Sequence, residues 1–255
     1  MPYGNNTYSM ANADILINLE KISFTFPDGK KVLEGLDLCL HKKERLGLIG
    51  PNGSGKTTLF RLIMGLLKPT SGRLIILGRE MLHKKDFVPI RQKIGLLFQD
   101  ADDQLFSPTV LDDVAFGPLN QGKSPAEAKE ISREILSSLG LKDFEDRITY
   151  KLSGGEKKLV SLATVLAMKP AVLLLDEPTT GLDIETTKKI VRVLESIDVS
   201  SIIISHDMDF IQHTTETIYG MVKGKILPEK GEYAHSHVHA HGHGEVPHTH
   251  SDIPD

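Results

Sequence analysis

The sequence predicts an α/β fold built around a parallel sheet, and three observations carry that prediction. Short, wholly apolar runs stand at residues 46–49, 94–98, 171–175 and 201–204, the pattern of strands buried on both faces of a sheet. Segments of helical pattern lie between them, so strand and helix alternate. The first apolar run leads into Gly50-Pro51-Asn52-Gly53-Ser54-Gly55-Lys56-Thr57, which satisfies G-x-x-x-x-G-K-[ST] in a strand–loop–helix context.

The elements follow in order along the chain. Residues 1–13 read as a flexible leader rich in Asn, Ser and Gly, without the basic and apolar regions of a secretion signal. Residues 15–26 have strand character, Pro27-Asp28-Gly29 is a turn, and a second strand runs over 32–40. That strand holds Cys39, the one cysteine, which reads as a small buried filler. A single thiol precludes an intramolecular disulfide and fits a reducing compartment. The phosphate-loop helix is expected over 58–67. Residues 100–152 or so read as a helical insertion whose clearest element starts at Ser124-Pro125-Ala126-Glu127, an N-cap, a first-turn proline and a capping-box acid. Ile131, Ile135, Leu136 and Leu139 then recur at helical spacing up to Gly140. From residue 231 to 255 apolar residues almost vanish while His, Gly, Pro and Ser dominate, so this tail is expected to be disordered.

The bulk properties narrow the function. A formal net charge of −4 gives no broad basic field for nucleic acid. No run approaches the roughly 18 apolar residues of a membrane span, so any membrane contact is expected to come through a partner.

The chemistry sits at strand ends. In the phosphate loop the glycines let backbone N–H groups turn inward onto phosphate oxygens, and the following helix adds its positive end. Lys56 is the mobile charge for the β- and γ-phosphates, the Thr57 hydroxyl is placed to ligate Mg²⁺, and Thr58 is counted with the loop as a nucleotide contact. The run 171–175 delivers Asp176-Glu177. Asp176 reads as the Mg²⁺ partner and Glu177 as the general base for an attacking water, because ligands collect at the carboxyl ends of such strands. Ser205-His206-Asp207 follows the next buried strand, and His206 is placed to hydrogen-bond a γ-phosphate.

Leu152-Ser153-Gly154-Gly155-Glu156, ahead of the acidic pair, is the most specific feature. With the phosphate loop and Asp176-Glu177-Pro178 it resembles the nucleotide-binding domain of ABC ATPases over roughly residues 14–230. The resemblance implies a P-loop NTPase core with an antiparallel β subdomain and a helical subdomain. It implies that Gln99 is the loop glutamine that touches Mg²⁺ and senses the membrane partner, that Gly181-Leu182-Asp183 is the D-loop, and that His206 is the switch histidine. Phe26 looks like the aromatic that stacks on adenine, a role that needs only a ring face. Ser153, Gly154 and Gly155 open a helix expected over 156–168 and so offer a second phosphate-binding N-terminus. In the family geometry that N-terminus serves the nucleotide of a second subunit, so two domains, alike or different, close head to tail on ATP and hydrolysis releases them. Glu156 stands where Gln is commoner, a tolerated variation.

Residues 101–110 (Ala-Asp-Asp-Gln-Leu-Phe-Ser-Pro-Thr-Val) and 113–118 (Asp-Val-Ala-Phe-Gly-Pro) narrow the resemblance to the energy-coupling-factor branch, particularly the ATPases of cobalt and nickel uptake. This implies a helical surface docked on coupling helices of a transmembrane subunit at the cytoplasmic face of the cell membrane. Vitamin transporters of the branch look alike here, so the segment does not choose the cargo. Of the chain's 11 histidines, His235, His237, His239, His241, His243, His248 and His250 lie in the tail, the first five at every second residue. A flexible chain can fold several neutral imidazoles onto one Ni²⁺ or Co²⁺ ion, although ligand type alone does not separate these from Cu²⁺ or Zn²⁺. Such binding weakens as pH falls through about 6.5. A metallochaperone GTPase would also join a P-loop to histidines, but it needs an Asn-Lys-x-Asp guanine-reading motif, absent here. DNA-repair and translation ATPases would require a coiled-coil insertion or a second cassette. The remaining alternative is an importer of a vitamin or other small solute.

Overall fold

The computed structural model of the protein describes residues 14–227. The predicted leader (1–13) and His-rich tail (231–255), with all seven tail histidines, lie outside the described residues. The two N-terminal strands form β1 (Ile15–Thr25) and β2 (Lys31–His41), joined through the 27–29 turn and paired antiparallel. Two strands the sequence pattern did not single out, β4 (Ser71–Ile76) and β5 (Arg79–Glu80), complete this antiparallel sheet in the order β2-β1-β4-β5.

The apolar runs assemble a second sheet. β3 (Arg45–Ile49), β6 (Ile94–Leu97), β7 (Val172–Asp176), β8 (Ser200–Ile204) and β9 (Thr217–Val222) are mutually parallel, and β10 (Lys225–Ile226) pairs antiparallel with β9, in the order β10-β9-β3-β8-β7-β6. Side chains alternate across a strand, and here both faces are covered. Val172 and Leu174 enter the core shared with the antiparallel sheet, whereas Leu173 and Leu175 enter the core under the helices. Ile202 and Ile204 divide from Ile203 in the same way. This is why the runs lack polar alternation.

Seven helices surround the sheets among the described residues: α1 (Lys56–Ile63), α2 (Phe87–Arg91), α3 (Val110–Asn120), α4 (Pro125–Ser138), α5 (Gly154–Leu166), α6 (Ile184–Ser196) and α7 (Met208–Thr214). α4 carries the predicted cap: Ser124 Oγ accepts from Glu127 N and the Glu127 carboxylate accepts from Ser124 N. Two helix bounds differ from the sequence expectation. α1 stops at Ile63 rather than 67, because Gly65 turns left-handed (φ 64°) and Leu66 N closes onto Arg61 O. α5 begins at Gly154 rather than 156 and ends at Leu166 rather than 168. Its start is set by Ser153, whose Oγ accepts from Glu156 N (3.3 Å) while Glu156 accepts from Ser153 N (2.8 Å). α3 and α4 pack on α5.

Candidate nucleotide site

The carboxyl ends of β3, β7 and β8 converge on one cleft. β3 runs into the phosphate loop, whose backbone needs glycine at two positions for different reasons. Gly50 has φ 151°, and a Cβ there would lie 2.1 Å from Met221 O; Gly55 has φ 111°, and a Cβ would lie 2.7 Å from Leu33 Cδ2. Gly55 is the N-cap of α1 and offers no side chain to bond the helix N–H groups, which therefore face the loop as donors. Lys56 is buried (7% exposed). Its Nζ donates to Gly50 O (2.6 Å), Pro51 O (3.1 Å) and Ser54 Oγ (3.4 Å). Burial pushes the ammonium pKa down, and the Glu177 and Asp176 charges push it back up.

A cavity of about 350 Å³ gathers Phe26, Asn52, Gly53, Gly55, Thr57 and Thr58 with Lys56, Gln99, Asp176, Glu177 and His206. A second, of about 500 Å³, shares Thr57, Gln99 and Asp176 with it and extends past Lys158 to Gly154. Most of the sequence-predicted residues thus meet around one space. Gly50, Pro51 and Ser54 stand behind it, holding Lys56. Phe26 packs edge-on against Phe24 (centroids 4.9 Å apart).

Asp176 ends β7 and is 4% exposed, with Oδ1 free of any hydrogen bond. Burial raises its carboxyl above the usual range; a bond from the Thr57 hydroxyl opposes this, Glu177 reinforces it, and Lys56 and Lys158 oppose it. A buried oxygen without a partner is costly, and a divalent cation beside Thr57 and Gln99 would satisfy it. The donor set of hydroxyl, amide and carboxylate oxygens suits Mg²⁺.

Glu177 has φ 47°, left-handed for a non-glycine residue. An extended backbone would send two successive side chains to opposite faces, yet here both acids line one cavity. Such a backbone stores about 1–3 kcal/mol and persists only where neighbours over-determine it. Glu177 N donates to Ile204 O (2.9 Å), and Glu177 Oε2 accepts from Thr180 Oγ1 (3.0 Å) and His206 N (3.3 Å). His206 Nε2 lies 3.1 Å from Asn52 Oδ1 and 3.3 Å from Glu177 Oε1, the latter a close approach without hydrogen-bond alignment. His206 thus spans the acid and the phosphate loop.

None of Ser153, Gly154 and Gly155 lines the cavity that holds Lys56 and Glu177, and only Gly154 reaches the adjoining one. They are surface-facing at the start of α5, with no atom within 4 Å of where a Gly154 Cβ would stand. Asp183 also lies outside both cavities. It caps α6 by accepting from Thr186 N (2.8 Å), and a Cβ on Gly155 would meet Thr186 Oγ1 at 3.4 Å and Asp183 Oδ2 at 3.9 Å, so the starts of α5 and α6 lie side by side.

Three side chains that sequence reasoning passed over tie these parts together. Gln104 accepts from Phe98 N (3.1 Å) and donates to Ser161 O (2.8 Å) and Thr164 Oγ1 (2.7 Å) on α5. Asp113, 2% exposed, accepts from Phe106 N, Ser107 N and the Thr149 hydroxyl. Lys158, 3% exposed, donates to backbone carbonyls of Phe98 and Gln99. A lysine two residues past the signature, directly before the apolar Leu159-Val160, was the one sequence signal available.

A phosphate loop under a helix start, with an acidic strand end beside it, is the site of a P-loop nucleotide triphosphatase. The comparisons give its family. The ABC transporter family model matches residues 33–180. The energy-coupling factor transporter ATP-binding protein EcfA of Methanothermobacter thermautotrophicus is 44% identical over 84% of this chain and 70% of its own length. The cobalt import ATP-binding protein CbiO of Rhodobacter capsulatus is 40% identical over 84% of this chain and 78% of its own. Among solved structures, cbiO1 of Clostridium perfringens, part of the transporter complex cbiONQ, superposes with a TM-score of 0.75 at 34% identity, covering 84% of this chain and 88% of that one. The dimeric ATP-binding cassette MJ0796 in a post-hydrolysis state with ADP and Pi gives 0.78 at 27% identity, covering 84% and 98%. The chain belongs to the ABC transporter family: it has the fold of an ABC nucleotide-binding domain and is an ATP-hydrolysing subunit.

Proposed function

We propose that this chain powers uptake of nickel or cobalt ions, working as a pair of ATPase subunits that close on ATP beneath transmembrane subunits at the cytoplasmic face of the membrane. The observation that carries the pairing is the separation of Ser153 from the cavity around Lys56 and Glu177. A second subunit's Ser153 and the α5 N-terminus would complete each site. The Ser153 hydroxyl oxygen accepts as the cap, and its proton, which supports the Glu156 carboxylate here, would turn to a γ-phosphate.

In this reading the loop amides and Lys56 hold the β- and γ-phosphates, and Phe26 stacks on the base. Thr57, Gln99 and Asp176 hold Mg²⁺, which when bound neutralises charge on the phosphate oxygens. Glu177 orients and deprotonates the attacking water, and His206 donates to the γ-phosphate. Release of phosphate removes the bridge between the subunits and opens them.

The transmembrane partner is assigned to the surface around Phe106 (68% exposed) and Phe116 (48% exposed), whose rings meet edge-to-face at 4.9 Å. They border an apolar groove of about 250 Å³ with Leu66, Phe98 and Met168, suited to an apolar helix face. The cargo rests on the alternating tail histidines, supported by the cobalt-import name of one relative. The relatives named for the energy-coupling factor name no cargo, and in the second reading the same ATPase serves a vitamin or another small solute.

ATP-dependent accumulation of radioactive nickel or cobalt, by cells carrying the full chain or a chain lacking residues 235–250, separates these readings. Metal uptake that falls at limiting metal when the segment is removed is expected. Equal uptake by both removes the tail's role, and absence of metal uptake with retained solute uptake establishes the alternative.

A further inference from the structure

The lysine that follows the signature by two residues has an arrangement that helix packing does not require. Lys158 sits on α5 at 3% exposure, and its ammonium donates to Gln99 O at 2.6 Å, Phe98 O at 3.1 Å and Glu177 O at 3.5 Å. An ammonium has three protons, and three backbone carbonyls from two separate segments take them. One segment carries Gln99; the other carries the acidic pair. Burying an ammonium without a directly paired carboxylate is expensive: burial pushes its pKa down, and the nearby charges of Asp100, Asp176 and Glu177 oppose that. An apolar side chain would fill the same volume without it.

One of the carbonyls it holds belongs to the strained Glu177. Glu177 is left-handed, pinned on its amide side to Ile204 O at 2.9 Å and on its carbonyl side by Lys158. Phe98 is pinned at both ends, its N–H to Gln104 and its carbonyl to Lys158. The signature helix, the Gln99 segment and the strand end therefore share one buried charge.

We infer that Lys158 is a positioning residue for hydrolysis: through the carbonyls of Phe98, Gln99 and Glu177 it fixes the Gln99 and Glu177 side chains on the nucleotide cavity and ties both to the helix that begins at the signature. It touches no substrate. Displacement of α5, whether by a second subunit or by a docked partner, is thereby transmitted to the groups that act on water and metal. The inference rests on the proposed roles of Gln99 and Glu177.

The test compares Lys158→Met, which keeps the stem and removes the charge, with Lys158→Arg, which keeps the charge. On the full chain, phosphate release is measured against ATP concentration, with trinitrophenyl-ATP affinity and the thermal midpoint beside it. Misplacement of reacting groups costs about tenfold to a hundredfold in rate, so K158M is expected to lose at least about tenfold in kcat. Nucleotide affinity and KM should stay within about threefold, a change of less than 1 kcal/mol, and K158R should recover most of the rate. A K158M enzyme within twofold of the parent in kcat overturns the inference. So does a parallel loss of kcat, affinity and thermal midpoint, which would make Lys158 a core support only. Glu177→Gln, assayed alongside, distinguishes the two levels: if it hydrolyses ATP normally, the underlying general-base role fails whatever K158M does.

Discussion

Replacing Asp113 by alanine probes how the loop bearing Phe106 is held to the signature. Asp113 Oδ1 accepts from Phe106 N at 3.1 Å and Ser107 N at 2.9 Å, and Oδ2 accepts from Thr149 Oγ1 at 3.2 Å. Thr149 opens the turn immediately before Leu152 and Ser153. Alanine removes both acceptor oxygens and their three bonds and leaves two backbone donors without partners. Two charge-assisted bonds are worth about 3–6 kcal/mol together, and relief from burying a carboxylate at 2% exposure returns part of that. The net loss is about 2–4 kcal/mol. For a chain of this size each kcal/mol lowers the thermal midpoint by about 2–4 °C, so D113A should melt about 4–16 °C lower. D113N keeps Oδ1 as an acceptor and can turn its amide toward the Thr149 hydroxyl, so about 1 kcal/mol is expected. Scanning fluorimetry or calorimetry on the three proteins decides it. A D113A midpoint within a degree or two of the parent would refute the reasoning, as would a D113N midpoint as low as that of D113A.

The capping box at the signature supports two more expectations. Ser153→Ala removes a cap worth about 0.5–2 kcal/mol; trinitrophenyl-ATP affinity should be unchanged while phosphate release falls sharply, and unchanged release would count against a role for Ser153 at a second subunit's nucleotide. The Ser153 backbone N–H, followed by its hydroxyl, holds the Glu156 carboxyl below its ordinary value of 4.5. A depressed folded value means that Glu156 contributes stability above pH 4.5, lost as pH falls through the folded value. Glu156→Gln does not titrate, so the parent's advantage in thermal midpoint over E156Q should shrink on acidification below that point; a constant difference would show that the carboxylate is not engaged.

The sequence revealed whatever is written locally. The phosphate loop, the acidic strand end and the signature are contiguous motifs, and the parallel strands announce themselves because Leu173 and Leu174 must both be apolar to serve opposite cores. The cap at Ser124 was read correctly, and the same Ser-x-x-Glu spacing at Ser153 would have placed the start of α5 at Gly154. What escaped is long-range. β9 owes its place to parallel pairing with β3 across most of the chain, and its sequence is half-buried and mixed. Gln104, Asp113 and Lys158 act through backbone groups 6 to 60 residues away, and no spacing rule announces such partners. The left-handed Glu177 is also a product of tertiary contacts, since nothing in Asp-Glu-Pro demands φ 47°.

In the proposed function two subunits share each nucleotide, and Glu177 serves hydrolysis. Light scattering of the Glu177→Gln chain after gel filtration in ATP and Mg²⁺ tests this most directly. A stable dimer retaining one nucleotide per subunit is expected, with monomer alone when nucleotide is left out. A Glu177→Gln chain that stays monomeric at saturating ATP, or that turns ATP over at the parent's rate, would contradict it.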